Sequence, residues 1–535
     1  MISPREFLTA FLGKYTANMA SMILWSVLGV VLSILCLIKL PIFAAFDKIG
    51  NGYGSKLACG AVFGAGRTLE SVLDAELTFP PAKYGRSFDV DNEKRCITVQ
   101  GKWPFASPAA TSCYHSHRLG CFLLPRNGED YELPDAPVED LDELLSKTNP
   151  KLNFEWPLGN SEHSKRTVSS KSKVNLPALQ KIADEHFGNT ELHARALLLT
   201  IDGEVVFEKY GDDCDANTRL LGWSATKSLL NALLGARIHD TEQISLDTSI
   251  ATLLPEWNDM PHLTSLTIRQ ALRMQDGLDV DESYFPGSSI TEMLFINGTV
   301  DGIIEKAKGG RRPRGENCFH YSSATTNILC KALAASFSSI ADNLAHVVSL
   351  FNAISTSSFR LEHDVSGNCV GSSFGYATAR DWARLGLLYM YDGMWWEQGE
   401  SHADPAKRTK RIFPEGWVDF TKSPTKTSRG QYGAHFWLGG NNTAAGDDAV
   451  LAKHREKDCD VIFPTRLEPR RDWMYNIPQN TFFMHGFEEQ MIAINQGDEG
   501  TSQSSFVLVR LGATKEKVVN WNKDKFYSDV FGTIN

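Results

Sequence analysis

The stretch GWSATKSLLNALLGA, residues 222–236, decides how the rest of the chain is interpreted. Its apolar residues recur with helical spacing, so it predicts a helix whose first turn carries Ser224 and Lys227. Ser-x-x-Lys is a weak pattern by itself, because it also occurs at Ser170–Lys173 and Ser423–Lys426. The former lies in a polar segment and the latter contains a proline. Only the pair at Ser224 opens an apolar helix.

A serine and a lysine three positions apart share one face of a helix, within hydrogen-bond reach. The serine hydroxyl is a poor nucleophile unless a base takes its proton, and an amine whose pKa is lowered by burial can be that base. The helix N-terminus also directs backbone N–H groups towards negative charge that develops on attack. The pattern therefore predicts a nucleophile, Ser224, and its base, Lys227. A helix-capping serine beside an ordinary exposed lysine is the alternative.

A second polar group precedes another apolar helix further along the chain. In ENCFHYSSATTNILCKAL, residues 316–333, Tyr321 and Ser323 lie just ahead of the helical spacing. The Tyr321 phenol is suited to pass a proton between the nucleophile and the leaving group, and Ser323 is a further hydroxyl facing the same site. The alternative is an aromatic core residue followed by a helix cap.

The order of the remaining predicted elements favours an α+β fold with an antiparallel sheet over a doubly wound parallel sheet. Residues 176–188 have helical spacing, and two apolar runs flank Asp202-Gly203, a dipeptide typical of a tight hairpin. Further helices are predicted at residues 227–240 and 379–393, and late strands at residues 432–440, 481–496 and 504–512.

Composition places the chain among globular proteins, with 535 residues of which 42% are apolar and 22% are charged. The formal net charge of −10 and the lack of a basic block argue against nucleic acid as a partner. The ten cysteines are too sparse for a disulfide scaffold and show no zinc-ligand spacing. Cys59, Cys96, Cys113 and Cys121 cluster, and the sequence allows one or two bridges there or buried thiols. It assigns no pairs.

An uncharged run, MILWSVLGVVLSILCLI, occupies residues 22–38, and apolar residues resume after Lys39. We interpret residues 22–46 as a single transmembrane anchor behind a tail of residues 1–21. A cleaved signal peptide is the alternative. Basic residues flank both ends of the run, so the orientation is weakly specified. The interpretation favours a single-pass membrane protein whose body lies on the non-cytoplasmic side.

Three segments follow the predicted anchor. Residues 47–125 are Gly-rich and contain cysteines without a strong period, and we interpret them as a small N-terminal module. Residues 126–175 are first acidic and then rich in Ser and Lys, as linkers are. Residues 176–535 form the large domain that carries the predicted chemistry.

Five stretches together resemble the serine beta-lactamase and penicillin-binding-protein superfamily, especially its 6-aminohexanoate-dimer hydrolase and esterase-like branch. They are GWSATKS (222–228), LTIRQALRMQDGLDVDESY (266–284), FHYSSATTN (319–327), GYATARDWARLGLLYMYDGMW (375–395) and TFFMHGFEEQMIAIN (481–495). The resemblance spans about residues 195–512. It implies a beta-lactamase/transpeptidase-like fold, with an antiparallel sheet flanked by helices, an all-helical lobe, and an active site between them.

By motif position, the resemblance makes Ser224 the acylated nucleophile, Lys227 its base partner and Tyr321 the third catalytic group. Ser323 then belongs to the substrate-binding surface.

The family's third motif falls at Met484-His485-Gly486. The backbone N–H of His485 would join that of Ser224 in an oxyanion hole, whereas the His485 side chain is either a catalyst or a packed, substrate-facing residue. Tyr284 resembles the tyrosine that closes over bound amide in the dimer hydrolases, or is a surface aromatic. Glu489 stands where this branch generally carries glycine.

These features predict a membrane-anchored serine hydrolase that cleaves a small amide or ester through an acyl-enzyme, without a metal ion or organic cofactor. One alternative is a non-catalytic receptor or assembly subunit with the same fold. Another is a beta-lactamase or D-Ala-D-Ala carboxypeptidase, which is disfavoured because the third motif lacks the lysine that grips a substrate carboxylate. The sequence does not specify the substrate or the oligomeric state.

Overall fold

The computed structural model describes residues 43–78, 82, 85–102, 107–116, 119–126, 154–160, 170–258, 264–299, 301, 318–397, 399–400, 403–428, 430–439, 477–497, 503–515 and 521–534. Most of the predicted anchor at residues 22–46 lies outside these ranges. Within them, no helix is long and apolar enough to cross a membrane.

Helices and strands occur mostly in runs along the described chain. The helices α1 to α12 comprise residues 43–59, Leu69–Asp74, Leu176–Gly188, Thr226–Asp240, Ile250–Leu253, Ile268–Leu272, Ser289–Glu292, Ser323–Ala335, Ile340–Ala353, Ala379–Met390, Trp417–Lys422 and Lys523–Phe531. The strands β1 to β15 comprise Arg86–Asp91, Cys96–Gly101, Ala110–Ser116, Gly120–Leu123, Ala194–Ile201, Glu204–Tyr210, Leu220–Leu221, Arg360–Leu361, Gly375–Ala377, Met394–Trp395, Lys410–Arg411, Trp437–Leu438, Phe482–Gly486, Gln490–Asn495 and Phe506–Gly512.

The central sheet has the strand order β12-β13-β14-β15-β5-β6, and every neighbouring pair is antiparallel. The predicted hairpin is confirmed, since Asp202 and Gly203 connect β5 to β6 with φ values of 49° and 85°. Both values lie in the left-handed region that such two-residue turns require. The α+β class with an antiparallel sheet is therefore correct.

Successive residues of β5 face opposite sides of the sheet, as the period of a strand demands. Leu198 belongs to the main core together with α10, whereas Leu197 and Leu199 pack with the terminal helices α3 and α12. Helix α10 packs closely against the sheet, since a Cβ on Gly386 would lie 2.7 Å from a Val507 methyl group of β15. Helices thus cover both faces of the sheet.

Helix α4 runs through the middle of the molecule. Its residues 226–236 are all buried, because the sheet lies on one side and the helical lobe of α5 to α9 on another. Within residues 222–236, only Ser224 is not fully buried. The fold therefore places the predicted nucleophile at an opening above a buried helix.

The predicted late strands need two corrections. Residues 432–440 do not form a continuous strand, since only Trp437–Leu438 pairs with β13. Ala434 and His435 instead donate their backbone N–H groups to the carbonyls of Thr421 and Leu272, which removes them from the sheet ladder. Residues 481–496 form two strands, β13 and β14, joined by the turn Phe487–Glu489.

Strands β1 to β4 form a second antiparallel sheet that the sequence analysis did not predict. Cys96 and Cys113 face each other across β2 and β3 and are joined by a disulfide bond. Helix α1 lies against this sheet and also contributes Tyr53 and Leu57 to the main core. The residues predicted as an N-terminal module therefore pack directly against the large domain.

One part of the predicted linker, residues 154–160, also packs against the large domain. The Trp156 indole donates a hydrogen bond to the carbonyl of Gly203 at 2.8 Å. The Arg384 guanidinium lies 4.4 Å from the Trp156 ring centre and donates to the Pro157 carbonyl at 2.7 Å. These contacts fix the segment beside α10 and the β5–β6 turn.

Candidate active site

Ser224 lies in a short 3-10 turn, Trp223–Ala225, that leads into α4. The residue before it, Trp223, has φ of 48°, an unfavourable backbone conformation for a large side chain. Packing holds it there: the Trp223 ring stacks on Tyr53 at 6.1 Å and meets Phe487 edge-on at 5.6 Å. Its indole nitrogen donates to Glu488 at 3.0 Å. The nucleophile turn is thus fixed by surrounding side chains.

Lys227 Nζ is at the centre of the site. It lies 3.0 Å from Ser224 Oγ, 3.0 Å from Ser323 Oγ and 2.9 Å from the carbonyl oxygen of Ser372. The side chain is almost completely buried, and burial lowers the pKa of Lys227 to about 8. An appreciable fraction of the amine is therefore neutral near neutral pH and can accept the Ser224 proton.

Tyr321 borders the same space from the start of α8. Its phenol lies near Ser224, and Lys227 Nζ lies 4.9 Å from the centre of its ring. Tyr432 and Trp437 surround the ring at 5.9 and 5.5 Å. Burial raises the pKa of Tyr321, so the phenol keeps its proton at neutral pH.

Glu282 is a further member of the site that the sequence analysis missed. Its buried carboxylate accepts hydrogen bonds from the Ser323 backbone N–H at 3.0 Å and from Ser323 Oγ at 2.5 Å. The Ser323 hydroxyl thus connects the Lys227 amine to a carboxylate. Burial raises the pKa of Glu282, and the nearby Lys227 charge opposes that rise.

Tyr284 lies two residues after Glu282, in the segment that the sequence analysis singled out. Its side chain lies near Ser323 and Glu282, and 45% of the residue is exposed. Its φ of 58° is unusual for a tyrosine. Tyr284 therefore lies at the rim of the site.

Strand β13 forms the opposite wall and brings Gly486 against the nucleophile turn. A Cβ on Gly486 would collide with the carbonyl oxygen of Gly222 and would lie 3.1 Å from the backbone nitrogen of Ser224. Only glycine allows this close approach. Residues 484–486 therefore end beside the Ser224 N–H group.

The turn after Gly486 departs from ordinary backbone geometry. Glu488 and Glu489 have φ values of 61° and 64°, where glycine is favoured. Ion pairs hold both carboxylates: Glu488 contacts Lys515, and Glu489 Oε1 lies 2.8 Å from Lys523 Nζ.

Glu489 also lies near His485, whose Nε2 is 3.7 Å from Glu489 Oε2. Burial opposes ionisation of Glu489, but its contacts with His485 and Lys523 outweigh that effect and lower its pKa to about 2. The His485 side chain therefore faces a carboxylate of its own wall.

The structure brings most of the predicted site residues together, namely Ser224, Lys227, Tyr284, Tyr321, Ser323 and Gly486. His485 lies on the adjoining strand position, with its side chain near Glu489. The sequence did contain a signal for Glu282, since it lies two residues before Tyr284 in the matching stretch of residues 266–284. Among the residues described, no group of three or more His, Cys, Asp or Glu side chains could hold a metal ion.

The sequence profile of the beta-lactamase family matches residues 179–495, which is more than half of the chain. No curated protein sequence matches the chain. Among solved structures, a protein described as a candidate 6-aminohexanoate-dimer hydrolase from Bacillus anthracis is 14% identical, with a TM-score of 0.43, over 66% of this chain and 80% of its own.

Two further solved structures are similar to this chain. EstA from Arthrobacter nitroguajacolicus Rue61a is 14% identical over 67% of this chain and 97% of its own, with a TM-score of 0.43. A class C beta-lactamase from Rhodobacter sphaeroides is 14% identical over 67% of this chain and 98% of its own, with a TM-score of 0.39.

Proposed function

Because the chain belongs to the beta-lactamase family, we propose that it is a serine hydrolase that cleaves a small ester or amide through an acyl-enzyme on Ser224. The observation that carries the proposal is the position of Lys227 Nζ, 3.0 Å from the hydroxyls of both Ser224 and Ser323. With its pKa lowered to about 8, the amine is suited to act as a general base.

In the first half-reaction, neutral Lys227 takes the proton of Ser224 Oγ while the oxygen attacks the substrate carbonyl carbon. The backbone N–H groups of Ser224 and His485 donate to the oxygen that becomes negative. The proton then reaches the leaving alcohol or amine through the Tyr321 phenol. Collapse of the tetrahedral intermediate expels this group and leaves the acyl ester on Ser224.

In the second half-reaction, water attacks the acyl ester, and Lys227 with Tyr321 takes the proton of the water. The Ser323 hydroxyl accepts from Lys227 and donates to Glu282, so it holds the amine in place through both steps. Release of the acid returns Ser224 to its starting state.

The lining of the cleft supports an uncharged substrate. Where lactamases carry a lysine in the third motif, this chain has Met484, which is fully buried. Two exposed aromatic residues border the opening: Tyr284 lies near Ser323, and Phe487 packs edge-on against Trp223. An ester or amide without a carboxylate next to the scissile bond fits this lining best.

The proposal is tested by hydrolysis of p-nitrophenyl esters. We expect Ser224→Ala and Lys227→Ala each to abolish turnover above background, since one removes the nucleophile and the other its base. The Ser423–Lys426 occurrence of the pattern supplies matched controls: Ser423→Ala and Lys426→Ala should keep full activity. Unchanged hydrolysis in both Ser224→Ala and Lys227→Ala would refute the assignment.

Two probes separate the alternatives on the same protein. A fluorophosphonate should label Ser224, whereas a receptor or assembly subunit without a reactive serine stays unlabelled. Stable labelling by a fluorescent penicillin would instead favour a carboxypeptidase, and its hydrolysis would favour a beta-lactamase.

We also propose that residues 22–46 anchor the protein in a membrane with its body on the non-cytoplasmic side. The uncharged run of residues 22–38 and the Cys96–Cys113 disulfide support this, since disulfides persist in oxidising compartments. The full chain should stay in the membrane pellet after alkaline extraction, and its body should resist protease added to the cytoplasmic side. Release at alkaline pH would contradict the anchor.

A further inference from the structure

A second pair of cysteines lies in the core beneath the four-stranded sheet. Cys59 is the last residue of α1 and Cys121 lies in β4, and both are fully buried. Their Sγ atoms are 2.6 Å apart. A disulfide bond is about 2.03–2.05 Å long, whereas unbonded heavy atoms in contact are about 3.5–4.0 Å apart. The two sulfur atoms therefore lie closer to a bonding distance than to a contact distance.

We infer that Cys59 and Cys121 form a disulfide bond that ties α1 to the four-stranded sheet. Each thiol loses its proton as the sulfur–sulfur bond forms. The two electrons reduce a disulfide oxidant, glutathione disulfide or a protein disulfide, to two thiols. The bond goes beyond the proposed hydrolase function, because it concerns residues that precede the family match.

The surroundings of the pair fix the position of both cysteines. Glu362 Oε1 accepts the backbone N–H of Cys121 at 3.2 Å, and Lys56, one helical turn before Cys59, donates to the Cys121 carbonyl. Lys56 and Glu362 are themselves joined by a buried ion pair at 2.8 Å. Contacts from both α1 and the large domain thus hold Cys121 opposite Cys59.

The register of the sheet prevents exchange with the disulfide already present. Cys121 is opposite Tyr114 across β3 and β4, and Tyr114 is buried on the inner face with Cys59. Cys113 is the residue before Tyr114, so its side chain points to the other face, where it is bonded to Cys96. Each cysteine therefore has one partner within reach.

The pair is suited to a bond that forms during folding and then persists. Burial raises the pKa of the Cys121 thiol well above its usual value, and the neighbouring Cys59 adds to this effect. Thiol–disulfide exchange requires a thiolate and access to the sulfur, and the folded core supplies neither.

The bond restrains a helix that supports the nucleophile turn. Tyr53, on the same helix as Cys59, stacks on Trp223, the residue before Ser224. It also meets Phe295 edge-on at 5.0 Å, which connects α1 to the helical lobe. Through α1, the disulfide ties the four-stranded sheet to the floor of the candidate active site.

Peptide mapping without reduction tests the inference. The full-length protein is made in a secretory host, unfolded with an alkylating reagent present, and digested with trypsin. The cut sites place Cys59 in residues 57–67, Cys121 in residues 119–126, Cys96 in residues 96–102 and Cys113 in residues 103–118. The peptide pair 96–102 and 103–118, already linked in the structure, is the internal control for oxidising conditions.

We expect residues 57–67 and 119–126 to appear as one linked species, lighter by two hydrogen atoms than the sum of the two peptides. Recovery of both as separate alkylated peptides, in a sample whose control pair is linked, would overturn the inference.

A double variant gives a second measurement. In Cys59→Ser/Cys121→Ser, a reductant should lower the Tm less than in the wild-type protein, because the variant has one disulfide bond fewer to break. Equal decreases in Tm would contradict the bond.

Discussion

The two walls of the candidate active site are built by different kinds of contact. On the helical wall, Ser224 and Lys227 meet at 3.0 Å because they are three positions apart where the 3-10 turn continues into α4. On the strand wall, the turn after Gly486 depends on the ion pairs of Glu488 with Lys515 and Glu489 with Lys523. The Ser224–Lys227 contact is encoded locally, whereas the ion pairs of the strand wall join residues 27 and 34 positions apart. In the proposed mechanism the helical wall supplies the groups that transfer protons, and the strand wall shapes the cleft and supplies the His485 N–H group.

The largest of the four effects below is expected for Tyr321→Phe on the helical wall. Loss of the phenol proton should lower kcat by roughly 10²- to 10³-fold and change KM little, because proton transfer is needed only as the bonds rearrange. Steady-state kinetics on p-nitrophenyl esters measures both constants. Tyr432→Phe is the matched control, a buried tyrosine 5.9 Å away. Equal losses in the two variants would assign the effect to packing.

The second largest effect is expected for Gly486→Ala, which changes the shape of the strand wall. The added Cβ collides with the Gly222 carbonyl and moves β13 away from Ser224. Such crowding typically destabilises a packed structure by about 1–3 kcal/mol. If the energy of the transition state rises by this amount, kcat/KM decreases by roughly tenfold to a hundredfold. Gly188→Ala is the control, since no atom lies within 4 Å of its added Cβ. Full activity in Gly486→Ala would show that catalysis does not depend on the position of the strand wall.

A smaller effect, on pH dependence, is expected for Glu282→Gln. The Glu282 carboxylate favours the charged form of Lys227, so its removal lowers the pKa of the amine further. Because Lys227 acts as the neutral amine, the acid limb of the kcat/KM profile should move to lower pH by about one unit. Asp281→Asn, at the exposed neighbouring carboxylate, should leave the limb in place. A shift to higher pH would contradict the role of Lys227.

The smallest effect on turnover is expected for Glu489→Gln, which should act on stability instead. The pKa of Glu489 is about 2 in the folded chain against 4.5 for the unperturbed group, so its carboxylate stabilises the fold above pH 4.5. That stabilisation is lost as the pH falls towards 2. Urea unfolding should show the variant less stable by about 2–3 kcal/mol at pH 7 and the difference should shrink in acid.

The control for that variant is Glu185→Gln, an exposed glutamate paired with Lys181 within a helix. Pairs of this kind contribute little, so its stability should change by no more than about 0.5 kcal/mol. If the difference in unfolding free energy between the wild-type protein and Glu489→Gln stays constant between pH 7 and pH 3, ionisation of Glu489 is excluded as its cause.

The same contrast explains how much could be predicted from the sequence. Helix α4, the β5–β6 hairpin and the grouping of Ser224 with Lys227 follow from spacing within a few residues. The contact of Glu282 with Ser323 joins residues 41 positions apart, and no local pattern encodes it. The same holds for the ion pairs of the strand wall.

The first sheet was missed for a different reason. Strand β2 does alternate between buried and half-buried residues, but its Cys, Thr and Gln make the alternation weak. For residues 432–440 the error is the opposite one: a whole strand is predicted where only Trp437–Leu438 is paired. Their apolar side chains fill the core around Phe436 instead of extending the sheet. Apolar spacing indicates burial more reliably than it indicates pairing.

Reactivity of Ser224 towards a fluorophosphonate, followed as a function of pH, tests the central claim most directly. The account predicts a labelling rate that rises with pH through about 8, where Lys227 loses its proton, and that falls to background in Lys227→Ala. A rate that is independent of pH and unchanged in Lys227→Ala would show that the amine does not activate the serine.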